Sequence, residues 1–335
     1  MTPRRRARLF AVAIAVFAAG LMATGCGGDD EAGGEPFTLA LDFYVNPDHA
    51  GVYRALEAGD FADAGLQVET EVPSDPSAPI RQVAAGRVDL AISYQPEVLL
   101  AREQGLPVVA VAALVSRPLT SLISLPEAGI AEPGDLAGKT IATAGIPYQA
   151  AFLEAILSDA ALTPDDVDQV EVGLNLLPAV LSGRADAMLG GFLNVEGVDL
   201  EERGEDPLVV PVDELGIPTY NELVLVANTK RVESDPEPIR RFIAALDRGT
   251  RDAVADPKLA TEAVLAAGEG LDPKLTAAEV KRTLPLLVPS VSAQPFGFMD
   301  PGEWAAFAAF MAERGLIRTS AEADQALTNE LLPAD

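Results

Sequence analysis

Short buried strands alternate with helices along most of this chain, and this alternation restricts the fold more than any other feature. Residues 88–93 and 107–115 are apolar runs rich in Val and Ala, which is typical of strands buried on both faces. Helical patterns lie between the predicted strands, each with Pro near its start and Gly just after its end. The predicted strands are 37–45, 66–72, 88–93 and 107–115, and the predicted helices are 79–85 and 96–104. This order predicts an α/β fold with a parallel sheet.

The same local sequence occurs twice. Ala85–Ala91 reads Ala-Gly-Arg-Val-Asp-Leu-Ala, and Ser182–Met188 reads Ser-Gly-Arg-Ala-Asp-Ala-Met, 97 residues later. A second pair, at 106–109 and 206–209, is offset by 100 residues. In both copies a helix would end at Gly, and an Arg-x-Asp turn would lead into a buried strand. Two ordered matches at nearly the same spacing predict two similarly wound lobes.

The order of these segments predicts how the lobes are joined. Extended apolar segments at 119–130 and 220–228 flank the second copy, and we interpret them as hinge crossovers. Beyond residue 228 the pattern becomes helical, and a last helix beginning at Asp300 and Pro301 has a stripe of Trp304, Phe307 and Met311 that is predicted to be core. The predicted division is lobe 1 at 37–120 and 225–335, and lobe 2 at 121–224.

The N-terminal residues have the pattern of a targeting segment. Four arginines within residues 4–8 precede an uncharged apolar run at 9–19, which is too short to span a bilayer. Ala23-Thr24-Gly25-Cys26 resembles a bacterial lipoprotein processing site, although Leu is more usual than Ala at position 23. We therefore predict a signal peptide at 1–25 and a lipidated Cys26 with a flexible tether at 26–36, which would make the protein extracytoplasmic and lipid-anchored. The alternative is an ordinary signal peptide with an incidental free cysteine.

Composition excludes several classes of function. The chain has 24 basic and 51 acidic residues, a net charge of −27, which argues against nucleic-acid binding. A single Cys and a single His exclude a disulfide framework within the chain, multi-Cys zinc sites and His-pair metal motifs. Most nucleophile–base chemistry would depend on that one imidazole. We predict no catalytic residues, no metal and no cofactor, and a monomer.

Five segments follow predicted strands and are the places where a ligand of an α/β protein would bind. Only 5% of the chain is aromatic, yet each segment contains an aromatic residue and none contains Arg or Lys. Aromatic faces with a few polar edges suit a flat heterocycle, and an anionic ligand would normally require a cation or a helix N-terminus. The segments are 42–53, 93–94, 144–148, 190–196 and 218–222.

For several of these residues, a purely structural role is an alternative to ligand contact. His49 is a candidate for ligand contact, but a lone histidine is more often structural. Either Phe43 or Tyr44 is buried by strand alternation, and Tyr53 could be helix packing. Glu196 could be a solvated loop charge. From the residues alone, the prediction is a flat, non-anionic ligand in a cleft between two lobes.

Residues 41–53 also resemble the opening signature of the ThiY-like binding proteins for thiamine-pyrimidine precursors, which reads Asp-Trp-x-x-Asn-x-x-His-x-Gly-x-Tyr. The matching residues are Asp42, Asn46, His49, Gly51 and Tyr53. Phe43 stands where a Trp is common. Further similarity covers 89–97, 117–119, 194–197 and 218–225, so the resemblance runs from about residue 37 to 310. It implies a two-lobed type II periplasmic binding protein fold with two crossover hinge segments.

Carried over position by position, the resemblance implies that Phe43 and Tyr220 stack on the ligand ring and that Tyr148 closes one side. Glu196 would pair with an aminopyrimidine, since a carboxylate accepts from the exocyclic amine and from a protonated ring nitrogen. Asn46 and Asn194 would orient the remaining polar edges. The candidate ligand-binding residues are therefore Phe43, Asn46, His49, Ser93, Tyr94, Tyr148, Asn194, Glu196 and Tyr220.

The implied function is that of a solute-binding lipoprotein of an ABC importer. Its partners would be a membrane permease and an aminopyrimidine thiamine precursor of the formylaminopyrimidine or hydroxymethylpyrimidine type. Alternatives of the same class are binding proteins for riboflavin, another aromatic solute or a sulfonate. The alternative from another class is a pyrimidine synthase of the same superfamily, which carries a Cys-rich motif and a pyridoxal-phosphate-linked Lys. This chain has no Cys beyond position 26, which argues against synthase activity.

Overall fold

A computed structural model describes residues 34–288, 294–320 and 323–333, so the predicted signal peptide and Cys26 lie outside the described residues. The described chain forms two five-stranded sheets with helices packed against them. The strands are β1 Glu35–Ala40, β2 Leu66–Glu71, β3 Leu90–Ser93, β4 Val108–Val115, β5 Thr120–Ser124, β6 Thr140–Thr143, β7 Asp168–Glu171, β8 Ala187–Phe192, β9 Leu208–Pro211 and β10 Leu223–Asn228. The helices are α1 Ala50–Ala58, α2 Asp60–Asp63, α3 Ala78–Ala84, α4 Gln95–Glu103, α5 Pro147–Asp159, α6 Leu176–Leu181, α7 Glu196–Glu202, α8 Thr229–Ser234, α9 Glu237–Ala255, α10 Pro257–Ala267, α11 Pro273–Thr283 and α12 Pro301–Glu313.

The two sheets have the same internal order. The first is β2-β1-β3-β10-β4 and the second is β7-β6-β8-β5-β9. In the first sheet β1 is parallel to β2 and β3, and β10 is antiparallel to β3 and β4. In the second sheet β6 is parallel to β7 and β8, and β5 is antiparallel to β8 and β9. This correspondence confirms the predicted α/β fold with two similarly wound lobes. The prediction of a parallel sheet is wrong for one strand in each lobe: β5 and β10 enter their sheets from the other lobe and run antiparallel to both neighbours, so the sheets are mixed.

The chain passes between the sheets twice, at residues 116–119 after β4 and at 212–222 after β9. We call these segments the outgoing passage and the return passage. Each is followed directly by the antiparallel strand of the sheet it enters, β5 or β10. The predicted crossovers at 119–130 and 220–228 therefore include β5 and β10. The chain begins to pair as a strand as soon as it reaches the other sheet. The predicted limits of the two lobes stay a prediction.

The repeated Gly-Arg-x-Asp sequence makes the same turn in each lobe. Asp89 accepts a hydrogen bond from the Thr38 amide at 2.8 Å, and Asp186 accepts one from the Thr140 amide at 2.8 Å. The aspartate amides donate back to the carbonyls of Thr38 and Thr140 at 3.0 and 2.8 Å. Each aspartate therefore ties its turn to the neighbouring parallel strand, to the middle of β1 or to the first residue of β6.

This turn predicts a measurable stability effect in the second lobe. Asp186→Ala leaves the Thr140 amide without its side-chain acceptor and should lower the free energy of unfolding by about 1 kcal/mol. Asp186→Asn retains an acceptor oxygen and should lose less. Urea unfolding of both variants compares the two midpoints. Equal midpoints for the Ala variant and the wild type would contradict this role.

Strand β1 is shorter than its sequence pattern predicts. It ends at Ala40, whereas the apolar pattern predicts a strand to Val45. The chain bends here because buried Asp42 is held by side chains outside the sheet, and because Pro47 begins a short 3-10 helix, Pro47–His49. The Asn46 side chain caps that helix by accepting from the Asp48 amide at 2.8 Å. The bend places the residues after β1 at the edge of the cleft.

The C-terminal helices cover the first sheet's side of the molecule, where α9 packs along α1 and α2. The stripe of Trp304, Phe307 and Met311 on α12 is buried, as predicted. Trp304 Nε1 donates to Asn221 Oδ1 at 2.7 Å, which ties α12 to the return passage. Across the described ranges, every helix is too short or too polar to cross a bilayer.

Candidate functional site

A cavity lies between the two sheets, at the carboxyl ends of their parallel strands. It holds about 450 Å³ of empty space, its open mouth included. The first lobe contributes Asp42, Phe43, Asn46, Pro76 and Tyr94 to its wall. The second contributes Ala144, Ile146, Tyr148, Gln149, Leu176, Gly190, Phe192, Val195 and Glu196. This is the position at which α/β folds of this kind bind small molecules.

Asp42 is the acidic group that the first lobe contributes. It follows β1 and is 1% exposed. Its Oδ1 lies 2.9 Å from His49 Nε2, and its Oδ2 accepts from the Tyr94 hydroxyl at 3.0 Å. His49 Nδ1 accepts from the Asn46 amide at 3.3 Å, which assigns the ring proton to Nε2 and makes His49 the donor to Asp42. His49 thus positions the carboxylate and is absent from the cavity wall.

Glu196 is the acidic group that the second lobe contributes. It is the first residue of α7, and its Oε2 accepts from the Phe192 amide at 2.7 Å. Burial raises the pKa of Glu196, and the Phe192 amide opposes this rise because it stabilises the carboxylate. The carboxylate is therefore fixed in orientation at the wall rather than solvated on a loop.

Aromatic side chains form much of the remaining wall. The Tyr94 and Tyr148 rings come from opposite lobes, and their centroids are 5.8 Å apart. Phe43 is partly exposed at the end of the first lobe's bend, and its ring packs edge-on against Tyr44. Burial raises the pKa values of Tyr94 and Tyr148 well above that of free tyrosine, so both hydroxyls keep their protons.

Gln149 also belongs to the wall, and sequence reasoning missed it together with Asp42. Its Oε1 accepts from the Ala144 amide at 2.8 Å, which leaves its amide group beside Gly190. Gly190 has φ +120°, and a Cβ there would lie 2.4 Å from Gln149 Nε2. A glycine is thus required for this close approach. For Asp42, two signals were available: it is a charged residue that follows a strand, and it is the first residue of the signature that residues 41–53 resemble.

The structure brings five of the predicted residues to the wall: Phe43, Asn46, Tyr94, Tyr148 and Glu196. The other four lie behind it. Ser93 donates to buried Glu97, and His49 holds Asp42. Asn194 bonds Asp48 and Thr283, and Tyr220 belongs to a cluster of rings.

Tyr220 packs between Phe152 and Phe307, at centroid distances of 5.7 and 5.0 Å. Its hydroxyl donates to Glu222 Oε2 at 3.0 Å. Phe152 in turn packs against Tyr148, at 5.1 Å, so Tyr220 is separated from the cavity by other rings. In this position the ring supports the wall and the hydroxyl holds a carboxylate.

The position of Tyr220 predicts that stability and affinity respond differently. Tyr220→Leu should lower the free energy of unfolding by about 1–2 kcal/mol, through a poorer fit and one lost hydrogen bond. Ligand affinity, measured by calorimetry, should change less than about threefold. Tyr148→Leu in the wall should weaken binding by about 1 kcal/mol or more, which is about fivefold or greater. Unchanged stability with strongly weakened binding would place Tyr220 on the ligand instead.

The electrostatic character of the site is acidic. Two carboxylates, Asp42 and Glu196, lie in the wall, and no Lys or Arg is among the described residues that form it. Such a site attracts hydrogen-bond donors and cations and repels anions. The walls otherwise offer aromatic and aliphatic surface, which suits a planar ring.

Two sheets of matching order, joined by two passages and with a cavity between them, define a two-lobed α/β architecture. The fold is the type II periplasmic binding protein fold. It is shared with the alkanesulfonate-binding protein SsuA of Xanthomonas axonopodis pv. citri, with a TM-score of 0.70 and 15% identity over 88% of this chain and 98% of that one.

The chain belongs to the NMT1/THI5-like family, whose pattern matches residues 46–260. Among its relatives, the formylaminopyrimidine-binding protein of Halalkalibacterium halodurans is 36% identical over 284 residues, which are 84% of this chain and 86% of that protein. The 4-amino-5-hydroxymethyl-2-methylpyrimidine phosphate synthase of Aspergillus parasiticus is 28% identical over 239 residues, 68% of this chain and 69% of the synthase. These two relatives are thus a binding protein and a synthase, and the name of each refers to a pyrimidine.

Proposed function

We propose that this protein binds an aminopyrimidine precursor of thiamine, of the formylaminopyrimidine type, between its two lobes. The observation that carries the proposal is the pair of fixed carboxylates in an aromatic wall without cations, Asp42 and Glu196. The relative that binds formylaminopyrimidine supports it, at 36% identity over most of both chains.

The chemistry of the ring matches these groups. An aminopyrimidine is flat and presents an exocyclic amine beside a ring nitrogen. A carboxylate such as Glu196 accepts from the amine and, when the ring nitrogen is protonated, from that N–H as well. Tyr94, Tyr148 and Phe43 supply aromatic surface for the ring faces. The assignment of individual roles to these residues is part of the proposal.

A sulfonate ligand is disfavoured even though the fold is that of sulfonate-binding proteins. Sulfonate is an anion and needs cations or amide donors in a site without competing negative charge. Asp42 and Glu196 would both repel it. Likeness of fold at 15% identity carries no information about the ligand.

We also propose that the protein is not an enzyme. A pyridoxal-phosphate-linked lysine would have to lie at the cavity, and the described wall contains no Lys. The chain's only Cys, at position 26, precedes the described residues. The wall groups can bind and orient a ring, but they include no nucleophile–base pair. Mass spectrometry should therefore recover the ligand unchanged after incubation.

The proposed context is a lipoprotein outside the cytoplasm that delivers its ligand to an ABC importer. The signal-like segment, the processing-site pattern before Cys26 and the fold support this context. Cys26→Ser should release the protein from the membrane or leave its signal uncleaved. Membrane retention with normal processing would contradict the anchor.

Calorimetry with a ligand panel tests the proposed function. The panel contains formylaminopyrimidine, hydroxymethylpyrimidine, thiamine, riboflavin and taurine. We expect an aminopyrimidine to bind most tightly and taurine not to bind. Tight binding of taurine or riboflavin without binding of the aminopyrimidines would overturn the proposal.

A further inference from the structure

Asn194 joins the two lobes just behind the wall of the ligand cavity, which its neighbours Val195 and Glu196 line. It follows β8 of the second sheet, and its Nδ2 donates to Asp48 Oδ1 and to Thr283 Oγ1, both at 2.8 Å. Asp48 lies in the 3-10 helix after β1, and Thr283 ends α11. All three side chains are buried. These bonds therefore link an element of the second lobe to two elements of the first.

Two oxygens in this group lack hydrogen-bond partners within the described chain: Asp48 Oδ2 and Asn194 Oδ1. A buried acceptor without a donor is costly, and such atoms are rare in folded proteins. If Asp48 were ionised, both would be acceptors and neither could satisfy the other. A proton on Asp48 Oδ2 makes it a donor, and an acid and an amide can then exchange two hydrogen bonds.

The surroundings of Asp48 favour the protonated acid. Burial raises the pKa of Asp48 to about 8, against the opposing effect of the Asn194 bond. Negative charge on other elements adds to the rise, from Asp42 after β1, Glu196 on α7 and Glu222 on the return passage. Glu279 on α11 is also buried, and the charges of Asp199, Glu196 and Asp48 help to raise its pKa to about 8.

Cations on the elements packed against Asp48 are directed elsewhere. His49 donates to Asp42 through Nε2. On α1, Arg54 pairs with Asp252 and Glu57, and on α10, Lys258 pairs with Glu262. On α11, Lys281 is exposed. The other two cations of α11 pair with acids of α7: Lys274 with Glu202 at 2.7 Å, and Arg282 with Glu201 at 3.0 Å. The charges that act on Asp48 are thus those of other carboxylates.

We propose that Asp48, Asn194 and Thr283 form a proton-dependent latch that holds the two lobes closed. Asn194 then slows ligand release because it holds the lobes together, without contacting the ligand itself. The effect on retention rests on the proposed function, whereas the effect on closure can be measured without any ligand.

The direction of the pH dependence follows from the change in the Asp48 environment. In an open form Asp48 meets water and has an ordinary pKa near 4, so closing takes up a proton over the range from about 4 to 8. Between these values each unit of rising pH should lower the ratio of closed to open protein by up to about tenfold, and above them the ratio should level off. Glu279 acts in the same direction if closing buries it.

The test measures the distance between the lobes in the ligand-free protein. Ala85 and Ser182 are exposed and lie in the matching turns of the two lobes. Both are changed to cysteine in a Cys26→Ser chain and spin-labelled, and double electron–electron resonance gives the distance distribution from pH 5.5 to 9. We expect one short, closed distance at low pH and a growing second population as the pH rises.

The variant that decides the matter is Asp48→Asn. An asparagine can accept from and donate to Asn194 as the protonated acid does, but it does not titrate. It should remain closed at pH 9, whereas Asn194→Leu should open at every pH, with the far-ultraviolet circular dichroism of each variant confirming its fold. Glu279→Gln removes the other buried carboxyl that titrates in this range, so the pH dependence that remains in this variant is the part that Asp48 contributes.

Two results would overturn the latch: an Asp48→Asn protein whose distances change with pH as the wild type's do, or an Asn194→Leu protein that stays closed. With formylaminopyrimidine, Asn194→Leu should raise the dissociation rate and leave the association rate within about threefold. Failure of the wild type to bind any aminopyrimidine would count against the proposed function alone, since the distances need no ligand.

Discussion

Glu196→Gln should weaken the binding of formylaminopyrimidine by about 10- to 150-fold and leave the fold intact. A hydrogen bond to a charged group contributes roughly 1.5–3 kcal/mol, and each 1.4 kcal/mol is about tenfold in affinity. The Gln oxygen can still accept from the Phe192 amide, as Glu196 Oε2 does at 2.7 Å. The NH₂ group of Gln then faces the donors of the ligand. Affinity is lost both because the negative charge is removed and because an acceptor is replaced by a donor.

Glu205→Gln is the control for this change. Glu205 is exposed shortly after the same helix, α7, so removal of its charge tests for a general effect of net charge on affinity. Calorimetry should give wild-type affinity for this variant, and melting temperatures should be close to wild type for both. Wild-type affinity in Glu196→Gln would show that Glu196 does not pair with the ligand.

The same carboxylate should give ligand binding a pH dependence of known sign. Burial raises the pKa of Glu196, so the fraction ionised falls at a higher pH than for a free glutamate. If the ionised form binds the amine, affinity should fall as the pH drops through that raised pKa. The affinity of the Glu196→Gln variant should not show this fall at low pH.

The fold was predictable because its signals are local and repeated. Glycine, Arg and Asp at the same places in both copies predict a helix end, a turn and a buried strand, and Asp89 and Asp186 make equivalent bonds in the structure. The end of β1 was not predictable in this way. It depends on Asp42 meeting Tyr94, which lies 52 residues away.

The candidate site was predictable at the level of segments and less so at the level of side chains. The rule that ligands bind after strands brought Phe43, Tyr148 and Glu196 to one cavity. The rule does not say which way a side chain points. Asn194 and Glu196 are two residues apart after the same strand, yet Glu196 is in the wall and Asn194 bonds the opposite lobe.

The role of His49 illustrates the same limit. The sequence left ligand contact and a structural role open for this residue. Its partners decide between them, because Nδ1 accepts from a backbone amide and Nε2 reaches Asp42. The bond between His49 and Asp42 is compatible with their seven-residue spacing, but nothing in the sequence requires it.

Glu222→Ala should lower the free energy of unfolding by about 3–5 kcal/mol, since each buried donor left without a partner costs roughly 1–3 kcal/mol. Glu222 lies in the return passage and is fully buried. Its Oε2 accepts from the amides of Leu119 and Thr120, both at 2.7 Å, and from the Tyr220 hydroxyl at 3.0 Å. Its Oε1 accepts from Thr120 Oγ1 at 2.9 Å. One carboxylate thus ties together the two passages between the lobes.

Glu222→Gln is the control that separates hydrogen bonding from charge. The Gln oxygen can take the position of Oε2, and its NH₂ can donate to the Thr120 hydroxyl, so most of the bonds persist. We expect a loss of about 1 kcal/mol or less near pH 5. Chemical unfolding at several pH values, with the midpoints of both variants compared with wild type, provides the measurement.

The difference in unfolding free energy between the wild type and Glu222→Gln, measured against pH, shows whether the charge of Glu222 stabilises or destabilises the fold. Burial raises the pKa of Glu222 to about 7, against the opposing effect of its four donors. A carboxyl whose pKa is higher in the folded state binds a proton there that the unfolded chain has lost, so its contribution to stability falls as pH rises from about 4.5 to 7. The Gln variant does not titrate at this position, so relative to wild type it should gain up to roughly 3 kcal/mol between pH 4.5 and 8. A constant difference between the two proteins across that range would mean that Glu222 is ionised in the fold throughout, with its four donors outweighing its burial.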